Sequence, residues 1–301
     1  MKAIGRHRWL YLMVLPGLAY FLIFRYWPMY GLTIAFKDYL PFLGYSGSPW
    51  VGLQHFEELF TGPDFGRLMV NTLVLALLTL LFVFPAPIVV ALLLNEVRQG
   101  MVKRSVQSLI YIPHFLSWTI VASLTYLLFS VDYGVIAQFI HGIVGGRQVD
   151  YVAQEAWFRP IIVLQSLWKQ TGWGTIVYLA ALAGVDTQLY EAARVDGASR
   201  WRQLWHVTVP GIRGLIILLL ILRLGDSLTV GFEQIILQQN LVGRPASEVL
   251  DTYVYNNGVL AGQWGVSAAV GLVKGLVGVA LVIGANKVAH IFGEAGVYRK
   301  S

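Results

Sequence analysis

Six long apolar runs, separated by shorter polar stretches, set the pattern of the chain: about residues 9–36, 69–94, 106–130, 161–182, 207–228 and 263–291. Each is long enough to cross a hydrocarbon layer about 30 Å thick as a helix rising about 1.5 Å per residue. The pattern predicts an all-α polytopic membrane protein with six transmembrane helices, a single transmembrane domain over residues 1–301. Lys2, Arg6 and Arg8 precede the first run, which continues past Arg25 and Pro28. No small-residue cleavage site follows it, and Tyr26, Trp27 and Tyr30 offer an interface to which Arg25 can snorkel, so it reads as a first span and not a signal peptide. Pro85 and Pro87 in the second run are expected to break or kink the helix unless its neighbours satisfy the freed carbonyls, and the third run contains Pro113. Such bends suit a bundle that moves and equally a static one. The Gly- and Pro-rich segment 37–67 and the segment 131–160 read as external loops, as does the loop ending at Gly262; the stretch VGFEQIILQQN either bends back or lines an outer mouth.

Lysine and arginine decide the orientation. Thirteen of them lie on the N-terminal, second, fourth and C-terminal segments, against five on the three opposite loops. By the positive-inside rule both termini are cytoplasmic, with the chain spanning the membrane six times.

Composition agrees: 56% of residues are hydrophobic and 13% charged. The net charge of +6 sits in clusters at the ends of spans, which argues against nucleic acid as a partner and for membrane lipid. The absence of cysteine excludes disulfides and thiolate metal sites, and the six histidines have no metal-ligand spacing. No GxxxxGK[ST] phosphate loop occurs, so any ATP-driven motor is a separate chain.

Polar groups within the runs mark a candidate path. Thr119, Ser123 and Tyr126 share one helical face, which fits a wet path and interhelical hydrogen bonding equally. Gln165, Lys169 and Trp173 share another, with Trp168 beside them. A charge in mid-span costs about 2.5–3.5 kcal/mol on insertion scales, so Lys169 and Lys274 should face a partner or water; a snorkelling Lys169 and a structural ion pair at Lys274 are the plain alternatives. Arg223 and Asp226 look like an ion pair. Ser267, Gly271, Gly275 and Gly278 permit close helix crossings, with GxxxG at Gly271 and Gly275. The candidate substrate-path set is Trp118, Ser123, Tyr126, Lys169, Trp173 and Lys274; its aromatics can stack on sugar rings, and its lysines favour an acidic sugar such as a uronate.

Between the fourth and fifth runs lies VDTQLYEAARVDGASRWRQLWHVTVPGIR, residues 185–213. Asp186 or Thr187 can cap a short helix that Gly197 ends, and a second helix starts at Ser199. Ala192 and Ala193 leave a surface that a partner can approach closely, Tyr190 and Val195 give apolar knobs, and Glu191, Arg194 and Asp196 give a charged rim. These residues, with Gly197, Val209 and Pro210, resemble the EAA loop of binding-protein-dependent ABC importer permeases, with Val-Pro in place of Leu-Pro. FPAPIVVALLLNEV, YIPHFLSW, SLWKQTGWGTIVYLAAL and VGFEQIILQQN resemble the oligosaccharide and polysaccharide branch of that family, its alginate- or lipoprotein-type sugar permeases. The resemblance implies the type I importer permease fold and a coupling helix formed by Tyr190, Glu191, Ala192, Ala193, Arg194, Val195, Asp196 and Gly197, docked on a cytoplasmic ATPase subunit. It also implies a second, homologous permease subunit, two copies of the ATPase, and an extracytoplasmic solute-binding protein. ATP and Mg would be bound by the ATPase subunits, and this chain would bind no cofactor and catalyse no reaction.

An ion-coupled secondary transporter is the alternative function, but the two halves show no matching broken helices. An intramembrane enzyme would need convergent titratable groups, and Arg223 with Asp226 reads as a pair, not as an acid and a base.

Overall fold

A proline in a helix removes one hydrogen-bond donor and crowds the preceding turn, and the way this chain absorbs its prolines sets the course of its spans. The computed structural model describes residues 8–97, 100–131, 134–145, 149–291, 293 and 296–298. Lys2, Arg6, Arg98, Arg147, Arg299 and Lys300, which enter the charge count, lie outside the described residues. Among the described residues every long element is helical, and the β pairing is an isolated bridge between Lys37 and Trp50.

Helix α1 (Arg8–Phe21) runs on through a π turn, Leu22–Tyr26, into a 3-10 stretch, Trp27–Phe36. After α2 (Gln54–Thr61) come α3 (Phe65–Leu78) and α4 (Pro85–Glu96), joined by the π turn Thr79–Val83 into one span. In that turn the Phe84 N–H donates to the Thr79 carbonyl at 3.0 Å, so the widened turn takes up the register just ahead of Pro85. Pro113 is handled differently. Helix α5 (Met101–Tyr111) tightens into the 3-10 turn Ile112–Phe115, and α6 (Trp118–Phe129) leaves at 102°. Ser117 restarts the helix by accepting from the Ile120 N–H at 3.3 Å. The run read as one span over 106–130 is therefore a broken pair.

Next are α7 (Val135–Val144), α8 (Glu155–Ala183) and α9 (Thr187–Val195). Helix α10 (Arg200–Gln203) continues through the π turn Leu204–Thr208 into α11 (Val209–Gly225), where Pro210 sits in the first turn, as Pro85 does in α4. Helix α12 (Phe232–Ile236) and the single turns Gln239–Val242, Arg244–Ser247 and Leu250–Tyr253 lead, through a further π segment, to α13 (Trp264–Ile291).

Four helical stretches, Trp9–Phe36, Phe65–Glu96, Arg200–Gly225 and Trp264–Ile291, are long and apolar enough to cross a membrane, and the bent pair makes up to five. Helix α8 has the length, 29 residues or about 44 Å, but it buries Gln165, Ser166, Lys169 and Thr175. A helix walled by protein is released from the demand that lipid makes on its side chains.

Of the described residues, those up to 65 and from 253 to 274 form one compact unit, and those from 66 to 252 and from 275 onward form a second. In the first, the buried ammonium of Lys37 donates to the Tyr45 carbonyl and lies 4.8 Å from the centre of the Trp50 ring. In the second, α8 is the axis. It packs on α4 and α11 through Ala91, Tyr178, Leu182 and Ile212, and on α3 and the segment 230–249 through Leu75, Phe158, Ile162, Val230, Ile235 and Val249. The stretch VGFEQIILQQN bends back into this core. Gln234 donates to Gln165 Oε1 at 2.7 Å and to the Ile162 carbonyl at 2.8 Å, Gln238 pairs with Gln165, and Gln165 donates to Thr125 Oγ1 at 2.7 Å. Every polar atom of this buried chain of amides is thereby offered a partner, as a low-dielectric interior requires.

Close helix approach depends on particular glycines. A Cβ at Gly172 would lie 1.7 Å from the Ile110 carbonyl oxygen, and one at Gly278 would lie 2.7 Å from that of Gly225. At Gly271 and Gly275, the expected GxxxG crossing, a Cβ would meet open space among the described residues.

Candidate functional site

The second unit contains a cavity of about 550 Å³, within the range of roughly 300–1,000 Å³ usual for small-molecule sites. Helix α8 supplies Lys169, Gln170, Trp173, Gly174, Val177 and Tyr178; the α3–α4 join supplies Val83, Phe84 and Pro87. The break between α5 and α6 contributes His114 and Trp118, and the end of α11 contributes Leu219, Leu222, Arg223 and the adjacent Asp226. The His114 imidazole stacks on Trp173 at 4.4 Å, 4° from parallel, and Phe115 meets the same ring edge-on at 6.0 Å. Trp173 is thus fixed in orientation yet remains 48% exposed.

Lys169 is committed to the scaffold. Its ammonium donates to the carbonyls of His114, at 2.7 Å, and of Leu116, and it lies 5.4 Å from the centre of the Trp118 ring. Those carbonyls are left over where the helix breaks at Pro113, so the lysine holds the bend together. Hydrogen bonds to a charged group are worth about 1.5–3 kcal/mol each. Lys169→Met should therefore lower the thermal unfolding midpoint in detergent markedly, and an unchanged midpoint would mean that the carbonyls find other donors.

Three of the six path residues read from the sequence, Trp118, Lys169 and Trp173, come together at this cavity. The other three do not line it. Ser123 and Tyr126 are exposed on α6, whose buried face is Val121 and Thr125, and Lys274 is half-buried on α13. Sequence reasoning missed His114, Gln170 and Tyr178 as lining residues, and it took Arg223 and Asp226 for a pair without a path. The clue available for the last two was a pair of charges at the end of an apolar run.

Helix α9 begins at Asp186, whose carboxylate accepts from the Gln188 N–H at 2.9 Å. It ends where Gly197 takes φ +72° and the Ala198 N–H donates to the Ala193 carbonyl at 2.8 Å. Glu191, Ala192, Arg194, Val195, Asp196 and Gly197 are exposed, and Ala193 is half-buried. Tyr190 turns back, its hydroxyl donating to Thr208 Oγ1 at 3.0 Å, so the apolar prominences are Leu189, unremarked in the sequence, and Val195, 88% exposed. An ion pair of 3.6 Å joins Arg200 to Glu96 in front of this loop, and at its exposure it stabilises little.

Residues 83–294 match the family model described as "Binding-protein-dependent transport system inner membrane component". Among curated proteins, the chain is 54% identical to Protein LplB of Bacillus subtilis (strain 168), over 99% of this chain and 93% of that protein. It is 53% identical to the polygalacturonan/rhamnogalacturonan transport system permease protein YteP of the same organism, over 97% of this chain and 91% of that protein. Among solved structures, it is similar to a chain of a bacterial ABC transporter involved in the import of the acidic polysaccharide alginate, with a TM-score of 0.88, 39% identity, and coverage of 97% of this chain and 99% of that one. A chain of the alginate transporter in complex with its alginate pentasaccharide-bound periplasmic protein gives the same TM-score at 40% identity, covering 98% of this chain and 99% of that one.

Proposed function

Because the chain belongs to the family of binding-protein-dependent transport system inner membrane components, we propose that it carries oligosaccharide or polysaccharide fragments, acidic ones among them, through the cavity on α4, α8 and α11. It is a multi-pass inner-membrane permease subunit of an ABC importer and not itself an ATPase. The observation that carries the substrate reading is Trp173: an indole braced on one side by a stacked imidazole, half-exposed in a cavity whose rim also offers Gln170, Arg223 and Asp226. An aromatic face beside a few fixed polar groups suits pyranose rings, which are apolar on their faces and hydroxylated at their edges. The relatives that handle polygalacturonan, rhamnogalacturonan and alginate support the same substrate class.

In this reading the whole chain acts as one transmembrane domain that crosses the membrane six times, with the bent α5–α6 pair and α8 completing the four apolar spans. Both termini and α9 lie in the cytoplasm. Residues 190–197 are the coupling helix, seated on one of two ATPase subunits that bind ATP and Mg. A second, homologous permease subunit covers the open side of the cavity, and a solute-binding protein delivers the sugar from outside. Closure of the ATPases moves the coupling helices together and rocks the attached spans, opening the cavity outward.

Trp173→Ala tests the reading. Stacking is worth about 0.5–1.5 kcal/mol beyond area burial, so uptake by the reconstituted complex should fall about threefold to tenfold for oligosaccharides whatever their charge. Wild-type uptake by this variant would place the sugar elsewhere.

A further inference from the structure

Resting on the oligosaccharide reading, we propose that Arg223 is the group in the cavity that binds a carboxylate, making the permease selective for uronate-type sugars, with Asp226 as the resident counter-charge that the incoming carboxylate partly replaces.

Three side chains that carry or can carry positive charge line the cavity: His114, Lys169 and Arg223. Neither of the first two offers donors to a ligand as Arg223 does. Lys169 holds the carbonyls of His114 and Leu116 and lies over Trp118; the face of His114 is covered by Trp173, and its Nδ1, though without a hydrogen-bond partner among the described residues, is buried. Arg223 is different. It is half-buried at the end of α11, and among the described residues its guanidinium makes no hydrogen bond and no salt bridge. The charge of Asp226 lies near enough to offset only part of the cost of its burial, and it does not occupy its donors.

A guanidinium has five N–H groups in a planar fork and no acceptor, and leaving it partly dehydrated with those donors unmet is costly. The arrangement therefore stores a preference for a planar anion that can take two parallel hydrogen bonds, which is the geometry of a carboxylate. A sugar hydroxyl can accept from the same fork, but as a neutral acceptor it gains roughly half as much. The neighbouring Gln170 and Trp173 can meet the hydroxyl edge and the ring face of a sugar whose carboxylate is on Arg223. Asp226 limits the grip, since its own negative charge opposes the ligand's. For a transporter this is useful, because a cargo must leave as well as enter.

The experiment uses the complete importer in proteoliposomes, supplied with an oligogalacturonate and with the same oligosaccharide after reduction of its carboxyl groups to alcohols. Wild type should take up the acidic form preferentially. Arg223→Gln should reduce uptake of the acidic form about tenfold to hundredfold, exceeding any loss for the reduced form by at least tenfold, and Arg223→Lys should fall between. Asp226→Asn should raise the apparent affinity for the acidic form and leave that for the reduced form nearly as it was. Equal losses for both substrates in Arg223→Gln, or an Asp226→Asn response that ignores substrate charge, would overturn the assignment while leaving oligosaccharide transport standing. If wild type takes up neither form, the oligosaccharide reading itself fails, and this inference with it.

Discussion

Gly172→Val should sharply lower the stability of the folded protein. A Cβ at this position would fall 1.7 Å from the Ile110 carbonyl oxygen and 2.4 Å from its carbon, and the obstacle is backbone, which cannot rotate aside as a side chain does. Overpacking ordinarily costs about 1–3 kcal/mol when neighbours can yield. Here α5 would have to withdraw from α8, and the carbonyls of His114 and Leu116 follow directly after it in the chain. Withdrawal would pull them from Lys169, leaving a buried ammonium short of acceptors. The expected loss of about 3 kcal/mol or more is a large part of a margin that is usually about 5–15 kcal/mol. Recovery of monodisperse protein from detergent and the midpoint of thermal unfolding measure it. Gly174→Ala should be milder, because its Cβ would meet ring atoms of Pro87 at 2.8 and 3.0 Å, and Gly275→Val, facing open space, should unfold like wild type. A well-folded Gly172→Val protein would mean that α5 and α8 do not touch here.

The contrast between Gly172 and Gly275 shows what a sequence carries and what it leaves out. Hydrophobic runs located most of the spans, because lipid imposes length and apolarity on any helix that faces it. They also marked 161–182, which lies inside α8, yet α8 is not one of the four stretches apolar enough to cross by that measure, because partial burial against other helices relaxes the rule and lets it hold Gln165, Ser166 and Lys169. Proline positions were plain to see, but whether a proline is absorbed depends on a hydrogen-bond shift in the turn before it. The π turns ahead of Pro85 and Pro210 keep two spans continuous, while the chain turns through 102° beyond Pro113. The GxxxG at Gly271 and Gly275 fitted a general rule of helix crossing, yet a Cβ there meets open space among the described residues, while one at Gly172 or Gly278 would press on backbone distant in sequence. Trp118, Lys169 and Trp173 were legible as candidates because charge and indole are anomalous in an apolar run. Ser123 and Tyr126 show the limit of periodicity, which groups residues on a face without saying what the face looks at. Arg223 and Asp226 were seen as a pair for the same reason: only the approach of α8 and the α5–α6 break makes a cavity of the space beside them.

Ala192→Arg should abolish uptake while leaving the chain as stable as before, if α9 is the coupling helix. The alanine is exposed, and arginine is nearly as good a helix former, so α9 itself has little reason to change. What changes is how near a partner can come, since a groove shaped for a methyl group cannot admit a side chain of that length. Co-purification of the ATPase subunits should fall by at least a hundredfold, equivalent to about 2.7 kcal/mol or more, and uptake should drop to background. Gly197→Leu should act by another route. Its Cβ would meet nothing, but φ +72° costs an L-residue about 1 kcal/mol, so the last turn of α9 should fray and docking should weaken less completely. A variant that keeps its ATPase subunits despite Ala192→Arg would move the docking site off this face, and one that loses stability in step with uptake would make the face structural. The connection back to the cavity is short. Tyr190 ties α9 to Thr208, the last residue of the π turn from which α11 continues, and α11 ends at the wall that bears Arg223. If α9 is the coupling helix, a push delivered to it would reach a cavity wall through that hydrogen bond and the span that continues from Thr208, which is how force at the loop would change access to the cavity.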